Sequence, residues 1–166
     1  MKNSILPNNL KKGDKIALIS TARKIDVEKL AYTKEVLNNW GLKVVEGKNL
    51  RAESNQFCGT DYQRSCDLQE AINDNSIQAI ICFRGGYGTV RILESVDFSN
   101  LIKNPKWICG YSDVTALHNY LNSKCCSATI HCTMPVNFST NTKESLETFR
   151  KALFGEKYGD EVRVLS

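Results

Sequence analysis

The chain has 166 residues, 42% of them hydrophobic and 24% charged, which is typical of one soluble globular domain with a core of its own. Its net charge of +4 comes from Lys and Arg residues that are scattered rather than grouped, which argues against a nucleic-acid partner. No apolar run is long enough for a signal peptide or a membrane span, so the sequence predicts a cytoplasmic protein with no membrane partner.

Five short apolar runs are typical of buried strands, at residues 15–20, 42–46, 77–83, 106–109 and 128–131. The helical patterns are one capped by Asp26, one starting at Thr60 or Asp61, and three over about 89–93, 114–121 and 143–153. Near-continuous apolar strands that alternate with helices predict an α/β fold. We expect a doubly wound, mostly parallel sheet of flavodoxin-like or Rossmann-like type, with ligands bound beyond the carboxyl ends of its strands.

Seven cysteines occur in the chain, an odd number, and none of them forms a Cys-x-x-Cys pair. This pattern argues against a disulfide framework and against a zinc site, so we expect reduced thiols and no metal. A cysteine nucleophile stays open as an alternative, although no local feature favours one. The seven are Cys58, Cys66, Cys82, Cys109, Cys125, Cys126 and Cys132.

A possible nucleophile lies in the turn Gly110-Tyr111-Ser112-Asp113, between a predicted strand and a predicted helix. A serine in such a turn projects above the sheet edge, and the N–H of the next residue points at the oxyanion that forms during acyl transfer. The Gly-x-Ser-x-Gly pattern of such turns is incomplete, because Val114 takes the place of the second glycine. A plain helix N-cap at Ser112 or Asp113 is the commoner arrangement and stays open.

The segment Arg84-Gly85-Gly86-Tyr87-Gly88 follows the most apolar of the predicted strands. Its three glycines allow close approach of the backbone to a ligand, so the segment is either a loop that donates N–H groups to a phosphate or oxyanion, or a plain tight turn. Arg91 occupies the last glycine position of a dinucleotide-binding pattern, and no P-loop occurs. We therefore expect no cofactor.

Two histidines, His118 and His131, are the candidate bases for a serine nucleophile. His118 follows Ser112 by six residues, which on a helix is about 9 Å along the axis, too far to reach back easily. His131 ends a predicted strand and could either contact substrate or be structural. The residues of this chain therefore predict no complete catalytic triad.

Six segments resemble the LD-carboxypeptidase family, in order along the chain: residues 57–64, 67–71, 79–88, 104–106, 110–118 and 131–135. The pair Arg-Gly-Gly-Tyr-Gly at 84–88 and Gly-Tyr-Ser-Asp-x-Thr-Ala-Leu-His at 110–118 is the most specific part. The sequence departs from the family's usual pattern at Cys132 and Thr133, where glycine and proline are usual, and at residues 20–22. These departures bear on substrate contacts more than on the nucleophile.

The resemblance implies a serine peptidase without a metal, with Ser112 as nucleophile and an oxyanion hole made by the backbone N–H groups of Asp113 and Gly86. It implies a Ser-His-Glu triad whose Glu and His lie in a C-terminal domain that is missing here. The substrate would be a peptide similar to the murein tetrapeptide, from which the terminal D-alanine is released during peptidoglycan recycling. Substrate contacts are expected from Arg84, Gly85, Tyr87 and His131.

These implications lead us to expect a nucleophile domain over residues 1–150 and the start of a linker over 151–166. We expect the intact protein to be a homodimer and this chain alone to be inactive. Two alternatives remain. One is a peptidase of the microcin C immunity type, which cleaves peptidyl or aminoacyl nucleotides. The other is a non-catalytic Rossmann-like ligand-binding module, in which Ser112 would be a buried cap.

Overall fold

Apolar runs form five parallel strands of a single sheet in the computed structural model, which describes residues 5–157. The strands are β1 Lys15–Ile19, β2 Lys43–Glu46, β3 Ile77–Cys82, β4 Trp107–Gly110 and β5 Ile130–His131. Their order across the sheet is β2-β1-β3-β4-β5, and every neighbouring pair is parallel. This is the strand order of flavodoxin-like doubly wound sheets, so the predicted fold class is confirmed.

Five α-helices connect and follow the strands within the described residues: α1 Val27–Asn39, α2 Asp61–Asn73, α3 Ser99–Lys103, α4 Thr115–Tyr120 and α5 Lys143–Phe154. Asp26 caps α1 as predicted, by accepting a hydrogen bond from the N–H of Glu28. Thr60, rather than Asp61, caps α2, in a reciprocal capping box with Gln63.

Two predicted helices differ in form from expectation. The segment Thr89–Ser95 is a 3₁₀-helix that buries Thr89 and Ile92, three residues apart, which is the spacing that a 3₁₀-helix brings onto one side. The predicted helix over 114–121 is divided into a 3₁₀ turn at Ser112–Val114, then α4, and then a π-helical turn at Leu121–Cys125. The short helix α3 had no sequence signal, because its five residues are too few to show a period.

The helices cover both faces of the sheet, as a doubly wound topology requires. On one face α1 and α5 pack against the strands, with Leu30, Leu37, Phe149 and Leu153 in the core. On the other face α2, α3 and α4 pack, with Leu68, Ile72, Leu101 and Leu117 in the core. No helix within residues 5–157 has the length and apolar character that crossing a membrane requires.

All seven cysteines lie in the described part of the chain and are free thiols. Cys82 and Cys109 are fully buried in strands β3 and β4, where they act as small apolar side chains. Burial raises the pKa of Cys82 to about 12, and it raises the pKa of Cys58 to about 11. Such thiols stay protonated near pH 7, which argues against a nucleophilic role for either.

The sheet topology brings the two sequence segments with unusual chemistry together. Strands β3 and β4 are parallel neighbours, so the turns that leave their carboxyl ends emerge side by side. The turn after β3 is Arg84–Gly88, which we call the glycine turn. The turn after β4 is Tyr111–Asp113, which we call the serine turn. In doubly wound sheets this edge is where ligands bind.

Candidate active site

Ser112 lies at the tip of the serine turn in a left-handed backbone conformation, with φ of 58°. A residue other than glycine in this region costs about 1–2 kcal/mol, so the surrounding structure must hold it there. Ser112 is exposed and is the first residue of the 3₁₀ turn Ser112–Val114, whose N-cap position is taken by Tyr111 without a side-chain capping hydrogen bond. The structure therefore favours the strained strand-to-helix turn over the plain helix cap.

Gly110 explains how the serine turn forms without its second glycine. A β-carbon on Gly110 would lie 2.9 Å from Cγ1 of Val114, closer than such atoms can approach. Val114 is itself fully buried, beside Cys82 and Met134. The absence of a side chain at the first position of the motif thus makes room for the valine that replaces the glycine at its last position.

The carboxylate of Asp113 joins the two turns. Its Oδ2 accepts a hydrogen bond of 2.9 Å from the backbone N–H of Thr89, the residue that follows the glycine turn. The backbones also approach closely, because a β-carbon on Gly85 would lie 3.3 Å from Cβ of Ser112 and 3.4 Å from the backbone nitrogen of Asp113. The glycine turn and the serine turn therefore pack directly against each other.

Gly86 has a φ of 115°, a value that residues with a side chain rarely adopt. The side chain of Arg23 lies across its α-carbon, because a β-carbon there would be 2.6 Å from Cδ of Arg23. Glycine is thus favoured at position 86 by its backbone conformation, and the absence of a side chain there leaves room for Arg23.

A cavity of about 250 Å³ opens beside Ser112. It is lined by Ser112, Gly85, Gly86 and Arg84, and by Arg23, Tyr111, Met134, Val136 and Asn137. Four of the residues predicted for the site therefore meet at one opening. The backbone nitrogen of a fifth, Asp113, packs against Gly85 at its edge.

Tyr87 and His131, which were predicted to contact substrate, do not line this cavity. The Tyr87 ring is exposed and packs against the ring of Phe57 in a tilted arrangement, with 6.5 Å between the ring centroids. The His131 ring meets the ring of Tyr111 edge-on at 6.2 Å and lines two neighbouring cavities instead.

His118 is 5% exposed and bonds to Gly110, the residue that precedes the serine turn. Its Nε2 lies 3.0 Å from the carbonyl oxygen of Gly110, so Nε2 carries the proton and donates it. Burial lowers the pKa of His118 below its usual value, and the hydrogen bond to Gly110 partly offsets that effect. A neutral ring whose N–H is already engaged agrees with the prediction that His118 is not the base for Ser112.

Arg23 was missed by sequence reasoning. It directly follows residues 20–22, a turn singled out only because it departs from the family pattern. Arg23 is distant in sequence from both turns, and only the pairing of β1 with β3 brings it beside Gly86. Asn137 was missed for the same reason, and its Nδ2 donates a 2.7 Å hydrogen bond to the hydroxyl of Tyr111.

Within residues 5–157, no three His, Cys, Asp or Glu side chains are grouped so that they could bind a metal ion. What this arrangement presents is an exposed hydroxyl beside two closely packed turns and the side chains of two arginines.

Comparison with known proteins identifies the fold and the family. The family model of the LD-carboxypeptidase N-terminal domain, Peptidase S66, matches residues 16–132. A Bacillus subtilis protein named "Probable murein peptide carboxypeptidase" is 38% identical over 125 residues, which is 75% of this chain and 39% of that protein. An MccF-like protein from Bacillus anthracis superposes with a TM-score of 0.85 at 28% identity, over 90% of this chain and 47% of that one.

A further solved structure is MccF in complex with glutamyl sulfamoyl guanosine, with a TM-score of 0.84 and 27% identity over 93% of this chain and 48% of that one. The chain thus spans less than half the length of these three relatives. The family match runs from β1 to the residue after β5 and includes both turns that meet at Ser112. This chain therefore belongs to the LD-carboxypeptidase family, whose N-terminal domain it contains.

Proposed function

We propose that Ser112 is the nucleophile of a serine carboxypeptidase that releases the terminal residue of a murein-type peptide. The observation that carries this proposal is the exposed, left-handed Ser112 packed against the glycine turn. Strain at a single polar residue of a strand-to-helix turn is typical of nucleophiles that must project from a sheet edge. The carboxypeptidase name of the Bacillus subtilis relative supports the reaction class.

The proposed chemistry is acyl transfer. The Ser112 hydroxyl attacks the carbonyl carbon of the last peptide bond, and the backbone N–H groups of Asp113 and Gly86 donate hydrogen bonds to the oxyanion that forms. The terminal amino acid then leaves with a proton, and water releases the acyl group from Ser112. The close contact of Gly85 with the Asp113 nitrogen supports an oxyanion hole between the two turns.

The proton on Ser112 needs a base that we place outside this chain. His118 is buried with its Nε2 bonded to Gly110, and His131 faces Tyr111 rather than the cavity. The larger size of the relatives supports a C-terminal half that supplies the Glu and His of the triad. Helix α5 runs from Lys143 to Phe154, so its last turn overlaps the start of the linker that we propose over residues 151–166. Residues 158–166 lie outside the described part of the chain.

A second candidate function is cleavage of a nucleotide-linked peptide. It is favoured by the likeness to MccF, which was solved with glutamyl sulfamoyl guanosine. Both candidates use the same nucleophile, so they differ in the leaving group, which is an amino acid in one and a nucleotide-linked group in the other. The third hypothesis, a non-catalytic binding module, required Ser112 to be buried as a cap, and its exposure argues against that.

The test is hydrolysis by this chain joined to the C-terminal half that its relatives carry. We expect release of D-alanine from murein tetrapeptide, and we expect Ser112→Ala to lower kcat at least about 10⁴-fold, because members of a triad act as a unit. Ser123→Ala, at an exposed serine in the turn after α4, is the matched control and should leave the rate unchanged. The 166-residue chain alone should show negligible turnover.

Two results would contradict the proposal. Activity that survives Ser112→Ala would remove Ser112 as nucleophile. Faster cleavage of an aminoacyl sulfamoyl nucleoside than of the tetrapeptide, still lost in Ser112→Ala, would favour the second candidate function.

A further inference from the structure

The two arginines that line the Ser112 cavity differ from the other arginines in the described part of the chain. Arg23 and Arg84 make no ion pair with any described residue, whereas each of the other four arginines within residues 5–157 is bonded to a carboxylate. The four pairs are Arg51 with Glu46, Arg64 with Asp61, Arg91 with Asp61, and Arg150 with both Glu147 and Glu156. The cavity thus concentrates the unpaired guanidinium groups of residues 5–157.

Each of these two arginines is held in place by contacts between the glycine turn and the segment Arg23–Lys24. Arg84 is half-buried directly after β3, and its Nη1 donates a hydrogen bond of 3.4 Å to the carbonyl oxygen of Lys24. The side chain of Arg23 lies across Gly86, and its backbone N–H donates to the carbonyl oxygen of Gly85 at 3.4 Å. Both guanidinium groups are therefore positioned beside the glycine turn rather than free in solvent.

The lining of this cavity carries positive charge only. Within residues 5–157, no Asp or Glu is among the residues that line it. The carboxylate of Asp113, which adjoins the cavity, points to the N–H of Thr89. Lys29 adds further positive charge, because its Nζ donates a 2.8 Å hydrogen bond to the carbonyl oxygen of Val136, a lining residue.

We propose that Arg23 and Arg84 bind the terminal carboxylate of the peptide substrate and so make the site specific for chain ends. This inference rests on the proposed function. A guanidinium group presents paired N–H donors that match the two oxygens of a carboxylate, and a carboxylate held by two arginines is bound more strongly than by one. A peptide that continues beyond the cleaved residue has an amide at that place, which would leave both cations without a partner.

The position of Arg23 across Gly86 also determines which bond is cleaved. The side chain of Arg23 contacts Gly86, the proposed oxyanion donor, so a carboxylate bound to Arg23 would lie next to a carbonyl bound at Gly86. Holding both ends of the terminal residue places its peptide bond over Ser112. This spacing favours removal of one residue at a time.

Binding of small ligands to the 166-residue chain, followed by ¹⁵N NMR, tests the inference without a catalytic base. The probes are N-acetyl-D-alanine, with its carboxylate, and N-acetyl-D-alaninamide, which differs only in lacking that charge. We expect the acid to shift the side-chain Nε–H signals of Arg23 and Arg84 together with the backbone signals of Gly86 and Asp113. We expect the amide to bind about tenfold more weakly.

Substitutions make the test specific. Arg84→Gln should weaken binding of the acid about tenfold and Arg23→Gln about threefold, because Arg23 is the more exposed of the two. Neither change should alter binding of the amide. Arg84→Lys, which keeps the charge but loses the paired donors, should fall between Arg84→Gln and wild type. Arg51→Gln, at an arginine paired with Glu46 away from the cavity, is the matched control and should bind the acid normally.

The possible failures are distinguishable. If acid and amide shift Gly86 and Asp113 equally and the arginine signals do not move, the carboxylate site is wrong while the proposed oxyanion hole stands. If the acid shifts the arginines but not Gly86 or Asp113, the carboxylate site stands and the proposed function is weakened. If inorganic phosphate competes more strongly than the acid, or if neither probe shifts any of these signals at tens of millimolar, the inference is overturned.

Discussion

The glycine turn after β3 and the serine turn after β4 reach the same edge of the sheet by different means. In the glycine turn, Gly86 and Gly88 take backbone conformations that cost glycine little, so the backbone can present N–H groups without strain. In the serine turn, Ser112 takes a left-handed conformation that costs a residue with a side chain. The glycine turn adopts its conformation because of its glycines, whereas the serine turn is kept in its conformation by the residues that pack around it.

This difference shows where each function must be placed. A backbone N–H donor needs only the right backbone conformation, which glycine adopts without strain. A nucleophile needs a side chain, so its turn must bear strain, and Gly110, Val114 and His118 hold it from below. The Asp113 to Thr89 hydrogen bond then keeps the two turns in register. Changes at the serine turn should therefore cost more stability than its surface position suggests.

The largest expected effect comes from Gly110→Ala. The added β-carbon would lie within 3.1 Å of three side-chain atoms of Val114, so we expect a loss of roughly 3 kcal/mol in the free energy of unfolding, the upper end for overpacked cores. Urea unfolding of the 166-residue chain measures it. Adding Val114→Ala should recover part of the loss, so that the double variant is more stable than the sum of the single changes predicts. Simple additivity would show that the two residues do not compete for space.

A smaller effect is expected where the two turns are joined. Asp113→Ala removes the acceptor for the N–H of Thr89, a fully buried residue, and should cost about 1–2 kcal/mol in unfolding free energy. Asp113→Asn keeps an oxygen at the same place and should cost about half as much. Losses near zero in both variants, measured by urea unfolding, would mean that the hydrogen bond contributes little and that the turns are held by packing alone.

The smallest effect tests the strain itself. Ser112→Gly should be more stable than Ser112→Ala by about 0.5–1 kcal/mol, because glycine adopts the left-handed conformation without the β-carbon penalty. The same pair of changes at Ser123, in the turn Leu121–Cys125, should have the opposite sign, since glycine is the poorer residue in a helical turn. If thermal unfolding shows Ser112→Gly to be the less stable of its pair, the serine turn is not strained.

Several elements could be predicted from the sequence because their signals are local. The apolar runs of β1, β3 and β4 determined the sheet, and Asp26 and Thr60 marked where two helices begin. The structure of the short helical segments could not be predicted fully. Helix α3 is too short for a period to appear. The helix predicted over about 89–93 is present, but its 3₁₀ form, which depends on packing against α2 and α4, had no sequence signal.

The candidate site divides in the same way. Gly110, Ser112 and the glycine turn were visible in the sequence, because a glycine or serine directly after an apolar strand is a local pattern. The choice between cap and strained turn was not visible, since both use the same residues. It needed the φ of Ser112 and the exposure of its side chain.

The sequence by itself determined a parallel α/β sheet, two unusual turns at its edge and a resemblance to one family. Only the tertiary structure decided what surrounds Ser112. It brought Arg23 across Gly86, turned the Nε2 of His118 to the Gly110 carbonyl and left His131 outside the cavity. The physical reason is that Arg23 and Gly86 are far apart in sequence, so the order of strands in the sheet determines that they meet. The contact of His118 with Gly110 is closer in sequence and depends on how the segment between them folds.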